Sequence, residues 1–469
     1  MTSSKLDPGD EIDGYRVVSL LHNGGMATLY RVERAGAELP LAMKVPRLAQ
    51  GDDPVSVVSY EVEQMMLGAL QGRHVPRLEA VGDLQRRPYL VMEFIDGESL
   101  AAAVGRAPLD ADELVRLLAP VADAIDDVHR QQLAHLDIKP SNVMFRASGE
   151  AVLIDLGLSH HRHFPDLLAE EFRKPIGSAP YIAPEQVLGL RSDPRSDIFA
   201  LGVVMYQLAT GVLPFGAPTS VHGLRQRLYR YPRAPRALRP ELPQWVQEVI
   251  LHCLEVDAAR RPTASEVAAW LRQPASVVIG VRGRRTRNPG WAVRLRRWLW
   301  AAGFEPAAPA TTQASALPIV LVAVATQHRD ASRQAALQAA VRDLTAMHSE
   351  ARIAVATVIP PQPLLGSSGP ESGGNLHVRH LVELRAWAEA LQLPEQRLTF
   401  HVLEAHDAAQ ALLDYATNNP VRQIVIGAPP IEGNPKLGIS YKPVAAAVAA
   451  RVALQAPCTV MLVRPVAAA

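Results

Sequence analysis

Six side chains between Lys44 and Asp155 have the types and the spacing that phosphoryl transfer demands. Lys44 sits in the apolar run LAMKV, where a cation on a strand can neutralise α- and β-phosphate charge once a carboxylate holds it in place. Glu63 in EVEQMMLGAL is the candidate for that carboxylate. Glu61 is the runner-up, because spacing to Leu67 and Leu70 favours Glu63 but a shifted register would favour its neighbour. The bland alternative for either acid is a solvated helix face. In AHLDIKPSNVMF, Asp137 can accept or orient a hydroxyl proton, Lys139 can balance γ-phosphate charge, and Asn142 can hold magnesium. Asp155 in LIDLGLS offers the second magnesium ligand. A lone DxKxxN is a weak signal. Followed by a hydrophobic strand, DLG and then APE at Ala183 to Glu185, it rarely arises by chance.

These groups need a scaffold. From Ile12 to about Leu271 the chain has short β-rich segments and then, after about Asp96, helical periodicity, predicting a small β-lobe before a larger α-lobe. At 469 residues the chain has room for two or three domains. With 48% hydrophobic and 20% charged residues it is neither disordered throughout nor collagen-like. A net charge of +1 provides no global field toward nucleic acid, and none is expected as a partner. Cys253 and Cys458 are too few and too far apart for a disulfide framework, a four-ligand zinc site or a CxxC pair, so a cytosolic protein is expected. The acidic N-terminus and short apolar runs predict neither a signal peptide nor a membrane span.

Residues from about Gly14 to Leu271 resemble a bacterial eukaryotic-type Ser/Thr protein kinase catalytic domain. The resemblance implies a bilobal α+β fold, with the small lobe about 14–96 and the large lobe about 97–273. It implies ATP with Mg2+, or Mn2+ as an alternative, and protein substrates with Ser or Thr acceptors. PYLVMEFIDGESL resembles the hinge, with Met92 as gatekeeper and Glu93 and Ile95 offering backbone groups to adenine, above which Ala42 would lie. SDIFALG places the large-lobe helix Asp at Asp197, and Arg261 in RRPTA resembles the partner of Glu185. Lys139, two residues after Asp137, resembles the Ser/Thr class.

Three departures from the family pattern stand out. The glycine-rich loop, spanning Leu21, His22, Asn23, Gly24, Gly25, Met26, Ala27, Thr28 and Leu29, replaces GxGxxG by His22, Gly24 and Ala27, which restricts backbone approach to phosphate. Leu136 stands where many members have the Arg that receives a phosphorylated activation loop. Between Asp155 and Glu185 only Ser159 and Ser178 are Ser or Thr, so switching by loop phosphorylation is not expected. The HHRH run at His160 to His163 is imaginable as a metal site, but a solvated basic loop is preferred.

Residues 274–316 are expected to be a linker: Gly, Pro, Ala, Thr and Ser flank seven arginines, with no acid before Glu305. Trp291, Leu295 and Trp298 would form one stripe of a short helix. The stripe is expected to dock on one of the chain's own domains while the arginines stay in water, with anionic lipid at the inner membrane face as the alternative partner.

Beyond Pro318, strand-like runs (IVLVAVA, ARIAVATVI, LTFHVLE, RQIVIGA, CTVMLVRP) alternate with helical segments, predicting a doubly wound parallel sheet over 317–469. The Gly/Pro/Ser-rich stretch from Pro360 to Asn375 is expected to be a mobile loop. This region resembles a universal stress protein domain. Nucleotide-binding members of that family carry an Asp after the first strand and a glycine-rich run after the fourth. Here Ala325 takes the first position, Gly427 is kept, Pro430 replaces the second glycine, and Ala446 and Ala447 stand at the GS position, with Gly433 and Gly438 out of pattern. A protein-contact or dimerisation module is therefore expected. The whole reads as a Ser/Thr kinase with residues 1–13 as a tail and a C-terminal regulatory module. A pseudokinase scaffold and a stress-metabolite sensor controlling the kinase are the rival readings.

Overall fold

The computed structural model describes residues 6–47, 55–84, 86–172, 174–287, 291–302, 318–326, 330–347, 351–361, 376–394, 397–428 and 444–464. Its N-terminal part is an antiparallel sheet of six strands: β1 (Glu11–Ile12), β2 (Tyr15–Asn23), β3 (Ala27–Glu33), β4 (Leu41–Pro46), β5 (Leu78–Val81) and β6 (Leu90–Glu93), in the order β1-β2-β3-β4-β6-β5. Alternation fixes its register, with Tyr15, Val17, Tyr30, Val32, Met43 and Val91 forming one apolar face. Helix α1 (Val55–Ala69) crosses between β4 and β5.

The helical body follows. Its helices are α2 (Ala101–Val104), α3 (Ala111–Arg130), α4 (Leu167–Glu171), α5 (Pro184–Val187), α6 (Arg195–Thr210), α7 (Val221–Tyr229), α8 (Pro235–Leu238), α9 (Gln244–Cys253) and α10 (Ala264–Arg272). Side-chain caps mark several of their N-termini. Asp110 caps α3 by accepting from the Glu113 N–H at 2.8 Å, and Thr263 with Glu266 makes a capping box on α10. Two small antiparallel pairs, β7 (Leu133–Ala134) with β10 (His160–His161) and β8 (Val143–Phe145) with β9 (Ala151–Leu153), frame the loops between the lobes. A single core runs through α1, α3, α6, α9 and α10 and includes Leu67, Ile138 and Leu156, so the loops that carry chemistry are anchored by packing.

The first part of the arginine-rich segment lies against the large lobe. Short α11 (Val281–Arg284) packs on α9, where the Gln247 amide donates to the carbonyls of Arg282, Gly283 and Arg285. Helix α12 (Trp291–Ala302) overturns the expectation for the aromatic stripe. Trp291, Leu295, Trp298 and Leu299 are exposed, and it is Arg297 that docks, 3.8 Å from the Tyr231 ring centroid. The planar guanidinium gains from stacking on an aromatic face, a contact that the apolar spacing does not encode.

The C-terminal domain is the parallel sheet the alternation predicts. Strands β11 (Ile319–Ala323), β12 (Arg352–Ile359), β13 (Leu398–Glu404), β14 (Val421–Gly427) and β15 (Thr459–Val463) run in the order β13-β12-β11-β14-β15. Helices α13 (Ala331–Met347), α14 (Leu376–Glu389), α15 (Ala408–Asn418) and α16 (Val444–Gln455) make the crossovers. Near-continuous Val, Ile and Ala runs suit strands covered on both faces, and two apolar clusters lie on the two sides of the sheet. Most of the loop expected at Pro360 to Asn375 lies outside the described residues, as do Pro430, Gly433 and Gly438.

Candidate active site

The register of β4 sets the first half of the site. Lys44 lies opposite Leu29 on β3 and Leu90 on β6, while Ala42 lies opposite Met92. The Lys44 ammonium donates to Glu63 Oε2 at 2.5 Å and to Asp155 Oδ1 at 2.7 Å. Glu63 projects from α1 into this pair and is 3% exposed, whereas Glu61, two residues earlier, faces the opposite way and is equally withdrawn from water. Neither acid belongs to a solvated face. At 3.6 residues per turn a separation of two places side chains on opposite sides of a helix, and both sides of α1 are covered.

Electrostatics follow from this placement. Burial works against the Lys44 charge, but Asp155 and Glu63 outweigh it and push its pKa up. Lys44 in turn holds the Asp155 carboxyl down to about 2, while burial pushes Glu63 up against the pull of Lys44. Asp155 sits at φ +65°, a strained conformation for a non-glycine residue that turns its carboxylate toward Lys44.

The second half of the site is a tight loop. The turn Pro140–Asn142 follows Lys139, and the Ile154 N–H donates to the Asn142 carbonyl at 3.0 Å, tying this loop to the strand before Asp155. Asp137 Oδ2 accepts from Lys139 Nζ at 2.7 Å and from Asn142 Nδ2 at 3.1 Å, while its Oδ1 accepts from the Ser178 N–H at 2.8 Å. Lys139 Nζ also donates to Ser178 Oγ at 3.0 Å, so one ammonium bridges Asp137 and the hydroxyl of the later segment.

Buried partners hold the loop from behind. Asp197, 0% exposed, accepts from the N–H groups of His135 and Leu136 at 2.8 and 2.7 Å, and its Oδ2 lies 2.9 Å from His129 Nε2. Leu136 has φ +64°, and its carbonyl accepts from the Gln186 amide at 2.9 Å. Glu185 receives two bonds from Arg261, at 2.6 and 2.8 Å, and one from Ser196 Oγ at 2.6 Å. Ser159 is buried with its hydroxyl donating to the His135 carbonyl at 3.1 Å, and His160 is buried in the β7–β10 pair.

The turn between β2 and β3 covers Gly24 and Gly25. The Gly24 N–H donates to the Ala27 carbonyl at 3.0 Å, and a Cβ on Gly24 would come within 3.2 Å of that oxygen and 3.3 Å of His22 Nε2, so a side chain there would be tight and would push the turn or the His22 ring aside. Leu21 near the end of β2 and Met26 in the turn are exposed, and Thr28 Oγ1 donates to Asn23 Oδ1 at 3.3 Å. In the segment joining the lobes, Met92 and Ile95 are buried and the Glu93 N–H donates to the Arg77 carbonyl at 2.9 Å. The Glu93 carboxylate is held by both terminal nitrogens of Arg146, a clamp across the lobes that motif spacing does not reveal. Gln186 and Arg146 are the positioning residues that sequence reasoning missed, and no local pattern marks either.

A model of the protein kinase domain family matches residues 15–270, and a model of the universal stress protein family matches residues 319–464. Among curated proteins, the chain is similar to the probable serine/threonine-protein kinase PknB of Lactococcus lactis, 29% identical over 54% of this chain and 40% of the relative. It is similar to the serine/threonine-protein kinase Pkn1 of Myxococcus xanthus, 32% identical over 61% and 42%, and to PrkC of Bacillus subtilis, 27% identical over 56% and 41%. The chain thus spans about two fifths of the length of these relatives.

Proposed function

Since the chain belongs to the protein kinase family through residues 15–270, we propose that it transfers the γ-phosphate of ATP to Ser and Thr hydroxyls of proteins and that its C-terminal domain regulates this transfer. The observation that carries the reading is the joint arrangement of Lys44 between Glu63 and Asp155, and of Asp137 between Lys139, Asn142 and Ser178. Asp137 is the group that would take the acceptor's proton, its carboxylate already aimed by three donors. Lys139 would balance charge on the transferring group, and Lys44 would grip the α- and β-phosphates because Glu63 keeps it from collapsing onto Asp155 alone.

Asp155 and Asn142 fit a hard cation. One offers an ionised carboxylate held low by Lys44; the other spends its amide N–H on Asp137, leaving the side-chain oxygen for a metal. Mg2+, or Mn2+ in its place, would supply neutralisation of phosphate charge there. Met92, Ala42, the Glu93 carbonyl and the Ile95 backbone would frame adenine, and residues Leu21 to Leu29 would cover the phosphates. Glu185, Asp197 and Arg261 are structural supports.

Two partner surfaces accompany this reading. No helix among the described residues is long and apolar enough to cross a membrane. The exposed Trp291, Leu295 and Trp298 beside exposed Arg296 support peripheral contact of α12 with anionic lipid at the inner face of the membrane. Edge strand β15, with Met461 and Leu462 exposed, supports a homodimer through the C-terminal domain.

The test is incubation of the full chain with γ-labelled ATP, Mg2+ and casein, alongside Asp137→Ala. Label transfer by the unaltered protein and its loss in the variant are expected. Absence of transfer by the unaltered protein would favour the scaffold reading.

A further inference from the structure

Helix α1 is buried almost all round: every residue from Ser56 to Glu63 is withdrawn from solvent. One side faces Lys44. The other is covered by the C-terminal domain, where fully buried Val57 joins the apolar cluster of Val320, Leu381 and Leu384, and Glu61 accepts from Arg385. The Arg385 guanidinium also lies 5.3 Å from the centroid of the Phe400 ring.

A second contact lies on α4, inside the segment between DLG and APE. Glu170 accepts from Arg352 Nη2 at 2.5 Å, from Arg352 Nη1 at 3.2 Å and from the Tyr415 hydroxyl at 2.8 Å. Glu171 Oε1 lies 3.0 Å from His401 Nδ1, and His401 Nε2 lies 3.1 Å from Tyr415 Oη and from Thr399 Oγ1. Arg352 is 3% exposed and His401 0%. With the C-terminal domain seated, both acids of α4 are paired across the interface, and disturbing one partner while the interface stays closed leaves a poorly compensated charge there. The two helices gripped are the one that carries Glu63 and one belonging to the segment that carries Ser178. Phosphate is poorly placed to fix that segment, because Leu136 is apolar, Ser159 is buried, and the Ser178 hydroxyl accepts from Lys139 beside Asp137.

We propose that the C-terminal domain is a built-in activating clamp: through Arg385 on Glu61, and through Arg352, His401 and Tyr415 on Glu170 and Glu171, it holds α1 and α4 so that Lys44 stays paired with Glu63 without loop phosphorylation. The proposal rests on the kinase reading for its activity readout. Its conformational readout does not.

The experiment compares the full chain with Arg385→Glu, the swapped pair Arg385→Glu/Glu61→Arg, and Tyr415→Phe. It measures steady-state transfer from ATP to casein and amide hydrogen exchange. Arg385→Glu is expected to lower kcat by roughly tenfold with ATP KM little changed, and to speed exchange in α1 but not in α3. The swapped pair should recover most of both. Tyr415→Phe, which removes a single hydroxyl, should speed exchange in α4 even if Arg385→Glu fails to fold. Faster transfer by Arg385→Glu would make the domain a brake and overturn the proposal. Unchanged exchange in α1 and α4 in every folded variant would also overturn it, leaving a passive interface. If the unaltered chain transfers nothing, the kinase reading fails, and the exchange data still decide whether the clamp exists.

Discussion

Glu61 and Glu63 stand two residues apart on one helix and are bound to different parts of the molecule. Glu63 meets Lys44 and, through it, Asp155; Glu61 meets Arg385 of the C-terminal domain. The inward side of α1 meets Lys44 and, through it, Asp155, both of which stand in motifs visible in the sequence. The outward side is served by Val57, Arg385 and Phe400, which form no motif, because packing and charge pairing accept many solutions. One helix thus carries contacts to Lys44 on one side and to the C-terminal domain on the other, the arrangement on which the proposed clamp depends.

The comparison breaks first at the reacting groups. Asp137→Ala and Lys44→Met are expected to lower transfer by roughly 10²–10⁴-fold with the fold retained, as checked by steady-state kinetics and circular dichroism. Normal transfer by either variant would remove the inward side of α1 from the chemistry.

A buried pair confined to one domain should act on stability. Glu185→Gln leaves Arg261 without its carboxylate and is expected to destabilise the kinase domain by about 3 kcal/mol in urea titrations. Burial raises the Glu185 pKa, but Arg261 and Ser196 prevail and hold it below the ordinary carboxylate range. Its contribution is therefore full above that range and is lost as the pH falls through its lowered native pKa. The gap between the variant and the unaltered protein should be wide at pH 7 and should close in acid. A pH-independent gap would mean the pair carries no charge.

The two acids of α1 can then be compared directly. Glu63→Gln is expected to reduce transfer on the order of 10–100-fold and Glu61→Gln by less than roughly tenfold, because only the first touches the lysine. Equal losses in parallel assays would erase the distinction between inward and outward sides.

Smaller effects are expected at the loop hydroxyls. Ser159→Ala and phosphatase treatment should each leave transfer within about twofold, since Ser159 is buried on the His135 carbonyl and Leu136 cannot receive a phosphate. Loss of activity traced to phospho-Ser159 would contradict this. Ser178 needs its own measurement, because Lys139 links it to Asp137.

The smallest signal belongs to the C-terminal domain. Titration calorimetry of the full chain should fit a single ATP site that Lys44→Met weakens, because the sequence has Ala325, Ala446 and Ala447 where the resemblance to nucleotide-binding universal stress proteins implies polar residues. A second micromolar site would promote the metabolite-sensor reading.

Much of this molecule was legible in the chain itself. Local rules determine the elements: two-residue alternation in β2 to β6, buried Val and Ile runs in β11 to β14, and caps such as Asp110 and Thr263. The set from Lys44 to Asp155 was legible in its motifs, and the fold does bring Lys44 to Glu63 and Asp155, and Asp137 to Lys139 and Asn142. Tertiary structure alone decided between Glu63 and Glu61, since helical spacing tells that the two face apart but not which side meets a lysine 19 residues away. It also decided that Arg297 docks while Trp298 stays in water, and that Arg352 and Arg385 reach acids 182 and 324 residues earlier in the chain. Pairings at such separations leave no periodicity or spacing to read. They exist only where the fold brings distant segments together, and at the buried Arg352 the cost of an uncompensated charge makes the pairing specific.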